Sequence, residues 1–386
     1  EEIKKNEYNL NLPRYIDTQE LEDIQDIEAH LKGGIPDADI SALSAYWDIC
    51  PTLEKSLFKA NGRKGYSELL IVSDEIKKTI LTHPEFETFR KQTLNTFAKW
   101  QKVSTDFLKT IDTTNHPKAV IYKIASDLLS ACANLKLVDK YDIYQHLMAY
   151  WEEVMQDDTH IITIDGWKAG KEIIRLQKEN KGKKKDIDGL VGLEGRLIPI
   201  SLAIKTYFAK EQKALDELNA KLEQVGVDMD SLKDEHGGEE GLLEEVIDND
   251  KISKASVLKR IKEIKNSADD ADELVVLEKY SALFEKEADT KKAIKDAEKD
   301  LEKKVLVKYP TLTEEEIKTL VVENKWMDEL SAQVLGEIDR LSQTLTGRVK
   351  ELAERYAEPM AEVTSDVETL TKKVESHLAK MGFKIK

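Results

Sequence analysis

Aromatic side chains are scarce in this sequence. Phe, Trp and Tyr make up 6% of 386 residues, while Asp, Glu, Lys and Arg make up 35%. So few large apolar groups beside so many charges suit long, solvent-exposed helices better than one large compact core. Basic charge is in deficit: 59 Lys and Arg against 75 Asp and Glu give a net charge of −16. A general polyanion binder is thereby excluded, because backbone binding to nucleic acid needs clustered Lys and Arg. Cysteine is nearly absent. Cys50 and Cys132 lie far apart in apolar surroundings and read as buried thiols in a reducing, cytoplasmic compartment. No apolar run reaches membrane-spanning length and no signal peptide is visible, so no membrane role is expected. The chain opens on Glu1 and reads as starting inside a longer protein.

The motifs of common catalysts are missing too. There is no Gly-x-Gly-x-x-Gly and no Walker loop; Gly189, Gly192 and Gly195 recur every third residue, which fits neither. His-Glu-x-x-His, Cys-x-x-Cys and Gly-x-Ser-x-Gly are absent. Asp157, Asp158 and His160 stand close together. Such residues can hold a metal, but one helix end gives the same cluster, and no metal site is assigned. The residues therefore point away from an enzyme.

What is present is helical pattern. Residues 1–20 look extended, with Pro13 among asparagines. In 21–34, Leu21, Ile24, Ile27 and Leu31 form a helix-spaced stripe closed by Gly33-Gly34. From 35 to about 167 the aromatics concentrate, Trp47, Trp100, Trp151 and Trp167 included, and this part reads as the main core. "THIITIDGW" alternates and then turns, which suggests a short strand. "RLQKENKGKKK" at 175–185 carries six basic residues and one acid around Gly182. It reads as a flexible basic loop, solvated first and a phosphate contact second. The candidate contacts are Arg175, Lys178, Lys181, Lys183, Lys184 and Lys185.

Beyond 201 the texture changes. Phe208, Leu215, Leu218, Leu222 and Val225 fall at heptad spacing, before "GVDMDSLKDEHGGEEG" interrupts with glycines and acids. From Ala271 to Lys308 there is neither Gly nor Pro. An unbroken helix of that length would measure about 57 Å. Two such segments around an acidic tip at 226–250 suggest an antiparallel coiled-coil arm. Thr313 with Glu316 forms a capping box. From Met327 apolar residues recur in steps of 3, 4 and 4, through Leu330, Val334, Ile338, Leu341, Leu345, Val349, Leu352, Tyr356, Met360 and Val363. Val367, Leu370, Val374, Leu378 and Met381 follow. An eleven-residue repeat gives a nearly straight seam. It passes through Pro359 in step, so Pro359 either kinks one helix or opens a second. The stripe could pack inside the chain or face a partner.

The expected fold is mainly α: a helical globular core, a long antiparallel coiled-coil arm and C-terminal long helices, with at most a few short strands. Its segments are 1–34, 35–200, 201–310 and 311–386.

Six stretches, in order along the chain, resemble the modification (M) subunit of type I restriction-modification systems. They are "NEYNLNLPRYID" (6–17), "YWDICPTLEKSLF" (46–58), "GYSELLIVSDEIKKTILTHPEF" (65–86), "DKYDIYQHLMAYWEEVMQDD" (139–158), "GEIDRLSQTLTGRVKELAERYAEP" (336–359) and "HLAKMGF" (377–383). The family is a DNA adenine methyltransferase that works with a separate specificity subunit. Its catalytic domain carries a glycine-rich S-adenosylmethionine loop and an Asn/Asp-Pro-Pro-Phe/Tyr motif for the flipped base. This sequence has no Pro-Pro pair. The resemblance therefore implies the C-terminal, non-catalytic part. No catalytic residue, no cofactor-binding residue and no cofactor belong to this chain, S-adenosylmethionine being expected for the absent domain. The implied partners are the specificity subunit, the restriction subunit in the full complex, and DNA mainly through the assembly. The docking surface would be Leu341, Leu345, Val349, Leu352, Tyr356, Met360, Val363, Val367, Leu370 and Val374. On that reading, Asp at Leu345 or Leu352 would abolish partner binding and spare the core. The alternative is an autonomous coiled-coil scaffold with no DNA role.

Overall fold

The computed structural model describes residues 25–180, 183–238, 241–248, 251–265, 267 and 270–381. The extended reading of residues 1–20 lies outside them. The fold is mainly α, with short strands in small antiparallel sheets.

In chain order, α1 (Ile27–Lys32) is capped by Asp26, whose side chain accepts from the Ala29 amide at 2.9 Å. Strand β1 (Ile35–Pro36), α2 (Asp37–Ser41), α3 (Ser44–Trp47) and α4 (Pro51–Leu57) follow. Pro51 opens α4 at N1, where its missing N–H costs nothing. β2 (Phe58–Ala60) and β3 (Tyr66–Leu69) complete a three-stranded sheet in the order β1-β3-β2, with Ile35 opposite Ser67 and Lys59 opposite Glu68. Next come α5 (Ile76–Thr82), α6 (Pro84–Leu108), α7 (Pro117–Ala131) and α8 (Lys140–Tyr150). A π-helical turn, Trp151–Met155, leads into α9 (Gln156–Asp165).

Helix α9 replaces the short strand expected at "THIITIDGW". Its buried positions, Met155, Asp158, Thr159 and Ile162, recur every three or four residues. That is the helical period, and the local alternation was misleading. β4 (Ile173–Arg175) pairs with β7 (Leu193–Gly195). Between them, β5 (Gln177–Asn180) and β6 (Lys183–Asp186) form a hairpin. The described parts of the basic stretch are thus paired strands where a loop was expected.

α10 (Ile200–Tyr207) leads to α11 (Ala209–His236), and β8 (Ile247–Asp248), β9 (Lys251–Ile252) and α12 (Lys254–Ile264) lead to α13 (Ala271–Thr311). Helices α11 and α13 pack antiparallel. Glu211 meets Lys304 at 2.8 Å, while Met229 and Leu232 pack with Leu277 and Tyr280 at the other end. Helix α11 runs straight through Gly226, where an interruption was expected. One glycine costs about 1 kcal/mol in a helix. Burial of Val225, Met229 and Leu232 offsets it. Leu243 and Val246 of the acidic tip share one core with Val257 and Ile264 of α12 and with Val276, Leu277 and Tyr280 of α13, and Ser253 caps α12 reciprocally with Ser256. Pro310 falls in the last turn of α13, one residue past Tyr309, which is fully buried and donates to the Ile198 carbonyl at 2.8 Å. The Thr313–Glu316 capping box opens α14 (Glu314–Lys318), and a π-helical stretch, Thr319–Met327, joins it to α15 (Asp328–Arg355). Helix α16 (Met360–Lys380) comes last.

Contacts gather the described residues into two compact units. One takes the chain up to Thr96, Asn134–Asp142 and the residues from Leu335 onward; the other takes Phe97–Ala133 and Ile143–Val334. Each unit joins stretches that are distant along the chain, whereas the expected segments were consecutive.

Candidate functional site

The C-terminal apolar repeat divides at Pro359. On α15, Leu345, Val349 and Leu352 are fully buried, Leu341 is 8% exposed, and Tyr356 is 4% exposed. These five residues of the expected docking surface are spent inside the chain's own core. On α16 the same rhythm is open: Met360, Val367, Leu370 and Val374 are between 56% and 58% exposed and Val363 is 39% exposed. No residue of α16 is buried. Aspartate at Leu345 or Leu352 would therefore strike the core before any partner, and of the residues expected to dock only those on α16 are exposed.

Proline explains the break. Pro359 has no N–H to give, and its ring would clash with the carbonyl four residues back. The residue before it is pushed out of the helical region. Helix α15 accordingly ends at Arg355, and Pro359, extended at φ −64° and ψ 148°, becomes the N-cap of α16. Its carbonyl accepts from the amides of Glu362 at 2.9 Å and Val363 at 3.2 Å. Two separate helices result, with no continuous seam.

A polar latch holds this junction. The Tyr356 hydroxyl donates to Asp39 at 3.0 Å and accepts from the Asp26 amide at 3.4 Å. Its ring lies 5.0 Å from that of His30. Tyr66 donates to Asp26 at 3.1 Å. The Asp26 carboxyl is held below its usual range, mainly by the Ala29 amide, against the opposing effect of burial and with a lesser lowering from Tyr66. Burial pushes the Tyr356 hydroxyl up, with Asp39 adding to it. Gly33, at φ 77°, closes α1, and a Cβ there would meet the Pro359 ring at 3.1 Å. Glycine serves twice here: it takes the left-handed conformation and lets the proline approach. Nothing local in the sequence announces the latch, since Asp39 and Asp26 are 317 and 330 positions from Tyr356.

The basic hairpin is the second expected site. Arg175 is not free for a phosphate: it donates to the Ile187 carbonyl at 3.1 Å and pairs with Glu302. Lys178 and Lys185 are exposed and directly opposed across β5 and β6, next to the Gln177–Asp186 hydrogen bond of 2.8 Å. Lys181 lies outside the described residues, and Lys183 and Lys184 are placed only as backbone positions of β6.

Asp157, Asp158 and His160 part company. Asp158 is 5% exposed and accepts from Lys325 at 2.6 Å and from Trp326 at 2.8 Å, so it is a core pin between α9 and the π-helical stretch Thr319–Met327. Burial pushes its carboxyl up, and Lys325 opposes this. Lys325 also donates to the Leu197 carbonyl at 2.9 Å, which ties both charges down. Asp157 and His160 line a cleft of about 790 Å³ with His116 and Trp151. Among the described residues no group of three or more His, Cys, Asp or Glu could hold a metal ion. Cys50 and Cys132 are buried and free. Burial, with Glu85 adding to it, pushes the Cys50 thiol up to about 11, which leaves it protonated at neutral pH. No described helix is long and apolar enough to cross a membrane.

No family model matches this chain, and neither a curated protein nor a solved structure matches it.

Proposed function

We propose that the chain is the non-catalytic, partner-binding C-terminal part of a type I modification subunit, docking onto the helices of a specificity subunit through α16. One observation carries the reading. A helix of 21 residues has an apolar stripe with no buried member, yet it is fixed at its start by Pro359, beside the Tyr356 latch. An exposed apolar stripe of that length marks an interaction surface. The six ordered stretches of resemblance supply the partner's identity, and Lys178 and Lys185 are the candidate phosphate contacts in an assembled complex. Methyl transfer and S-adenosylmethionine binding would belong to another domain.

The test is a titration of this chain with the purified specificity subunit from the same operon, read by light scattering after gel filtration. The expected result is a defined complex that Leu370→Asp abolishes and Lys178→Glu leaves intact. A chain that forms no complex while both proteins are folded would overturn the reading. The antiparallel pair α11 and α13 favours a second one, an autonomous coiled-coil scaffold, and that reading would then stand.

A further inference from the structure

The stripe on α16 changes period after the proline. Met360, Val363, Val367, Leu370 and Val374 are spaced 3, 4, 3 and 4, which is a heptad rhythm rather than the 3, 4, 4 of α15. Taking Met360, Val367 and Val374 as a positions puts Val363, Leu370 and His377 at d. The g positions on the stripe's flank are Asp366, Lys373 and Lys380, one acid and two bases. All three are exposed, and none is engaged in an ion pair among the described residues.

We infer that two copies of this chain pair through α16, antiparallel about a two-fold axis. In that arrangement Val367 of one copy packs on Leu370 of the other, and Val363 packs on Val374. Antiparallel coiled coils bring g positions together. Asp366 then lies beside Lys373 of the second copy, and the two-fold axis makes that pair twice. The charges also disfavour the neighbouring alignments. A shift by one heptad sets Asp366 against Asp366, or sets Lys373 against Lys373 while Asp366 meets Lys380. A parallel pair sets Asp366 beside Thr371 and Lys373 beside Leu378, makes no ion pair, and stacks His377 on His377. Of these, only the central antiparallel register makes two pairs of opposite charge and no pair of like charge.

This goes beyond the proposed function. The second copy covers the face that a specificity subunit would use, so the two compete for α16. The experiment uses the chain alone, and its failure leaves the specificity-subunit reading standing.

The test is sedimentation equilibrium of the full chain at low ionic strength, from low micromolar to about 1 mM. The expected mass rises from the monomer's 44.0 kDa toward twice that value. Asp366→Lys and Lys373→Asp should each weaken pairing by about tenfold or more, since each turns two attractions into two repulsions. An equimolar mixture of these two variants should pair again, because each supplies the charge the other lacks. The double variant D366K/K373D should recover wild-type pairing. Circular dichroism checks that every variant is folded, which exposed positions allow. A single monomer mass throughout, a dimer indifferent to Asp366→Lys, or a mixture and double variant that both fail to pair would each overturn the proposal.

Discussion

Helices α15 and α16 each carry an apolar stripe at helical spacing, and the two stripes have opposite fates. Leu345, Val349 and Leu352 on α15 are fully buried, while Val367, Leu370 and Val374 on α16 are more than half exposed. Both present an apolar stripe and a charged back. What separates them is the partner each finds. Helix α15 is covered within the chain and held by Arg340, which bonds Glu337 and reaches Asp142 at 3.4 Å. Helix α16 leaves the latch at Tyr356 and meets no cover beyond its first turns. An apolar period therefore states that a face wants burial and does not state by what.

The comparison can be broken most sharply with one charge on each helix. Leu345→Asp should cost about 4 kcal/mol or more, since it buries an unpaired carboxylate and empties a packed site. Leu370→Asp should change stability by less than about 0.5 kcal/mol and act only on association. Equal losses in urea unfolding would mean that α16 is covered after all. The latch is the next test. Tyr356→Phe removes a hydrogen bond to a carboxylate and should cost about 1–2 kcal/mol. Amide exchange should then quicken around the junction and in α1, with the middle of α15 still protected. Uniform loosening of α15 would show that the latch supports far more than the junction.

Pro359→Ala has a smaller expected effect. It lifts the block on helix continuation, so helical circular dichroism should rise by a few residues' worth. Fusion of α15 and α16 into one rod would require breaking the Asp39 and Asp26 contacts, and the latch should resist it. Acid gives the smallest effect. The Asp26 carboxyl is depressed below its ordinary 3.8 in the folded chain. Its contribution is therefore present above about that pH and lost as pH falls through the lower folded value. Asp26→Asn should lower stability near neutrality, where the charged carboxylate contributes, and the two proteins should converge as pH falls below 3.8. A loss that persists undiminished in acid would mean that Asp26 acts through packing.

Much of the local architecture was legible. Thr313 caps as its spacing to Glu316 implied, and Leu215 and Val225 of the heptad are buried. Local chemistry decides such features, and neighbours in sequence display it. The misreadings came where burial beyond the neighbourhood overrode a local cue. Ile162 and Asp158 turned an alternating stretch into α9, the cluster around Tyr280 carried α11 through Gly226, and strand pairing ordered the lysines of β5 and β6. The candidate site was half legible. Its apolar residues were visible as a period, while the hydrogen bonds that join Tyr356 to Asp39 and Asp26 were not.

By itself the sequence determined a helical protein with an antiparallel arm and a proline-divided C-terminal stripe, because helix period, caps and breakers act over a few residues. Only the tertiary structure decided which half of the stripe is spent. Burial depends on what the chain brings against a face, and Asp26, Asp39 and Tyr356 meet only once it has folded.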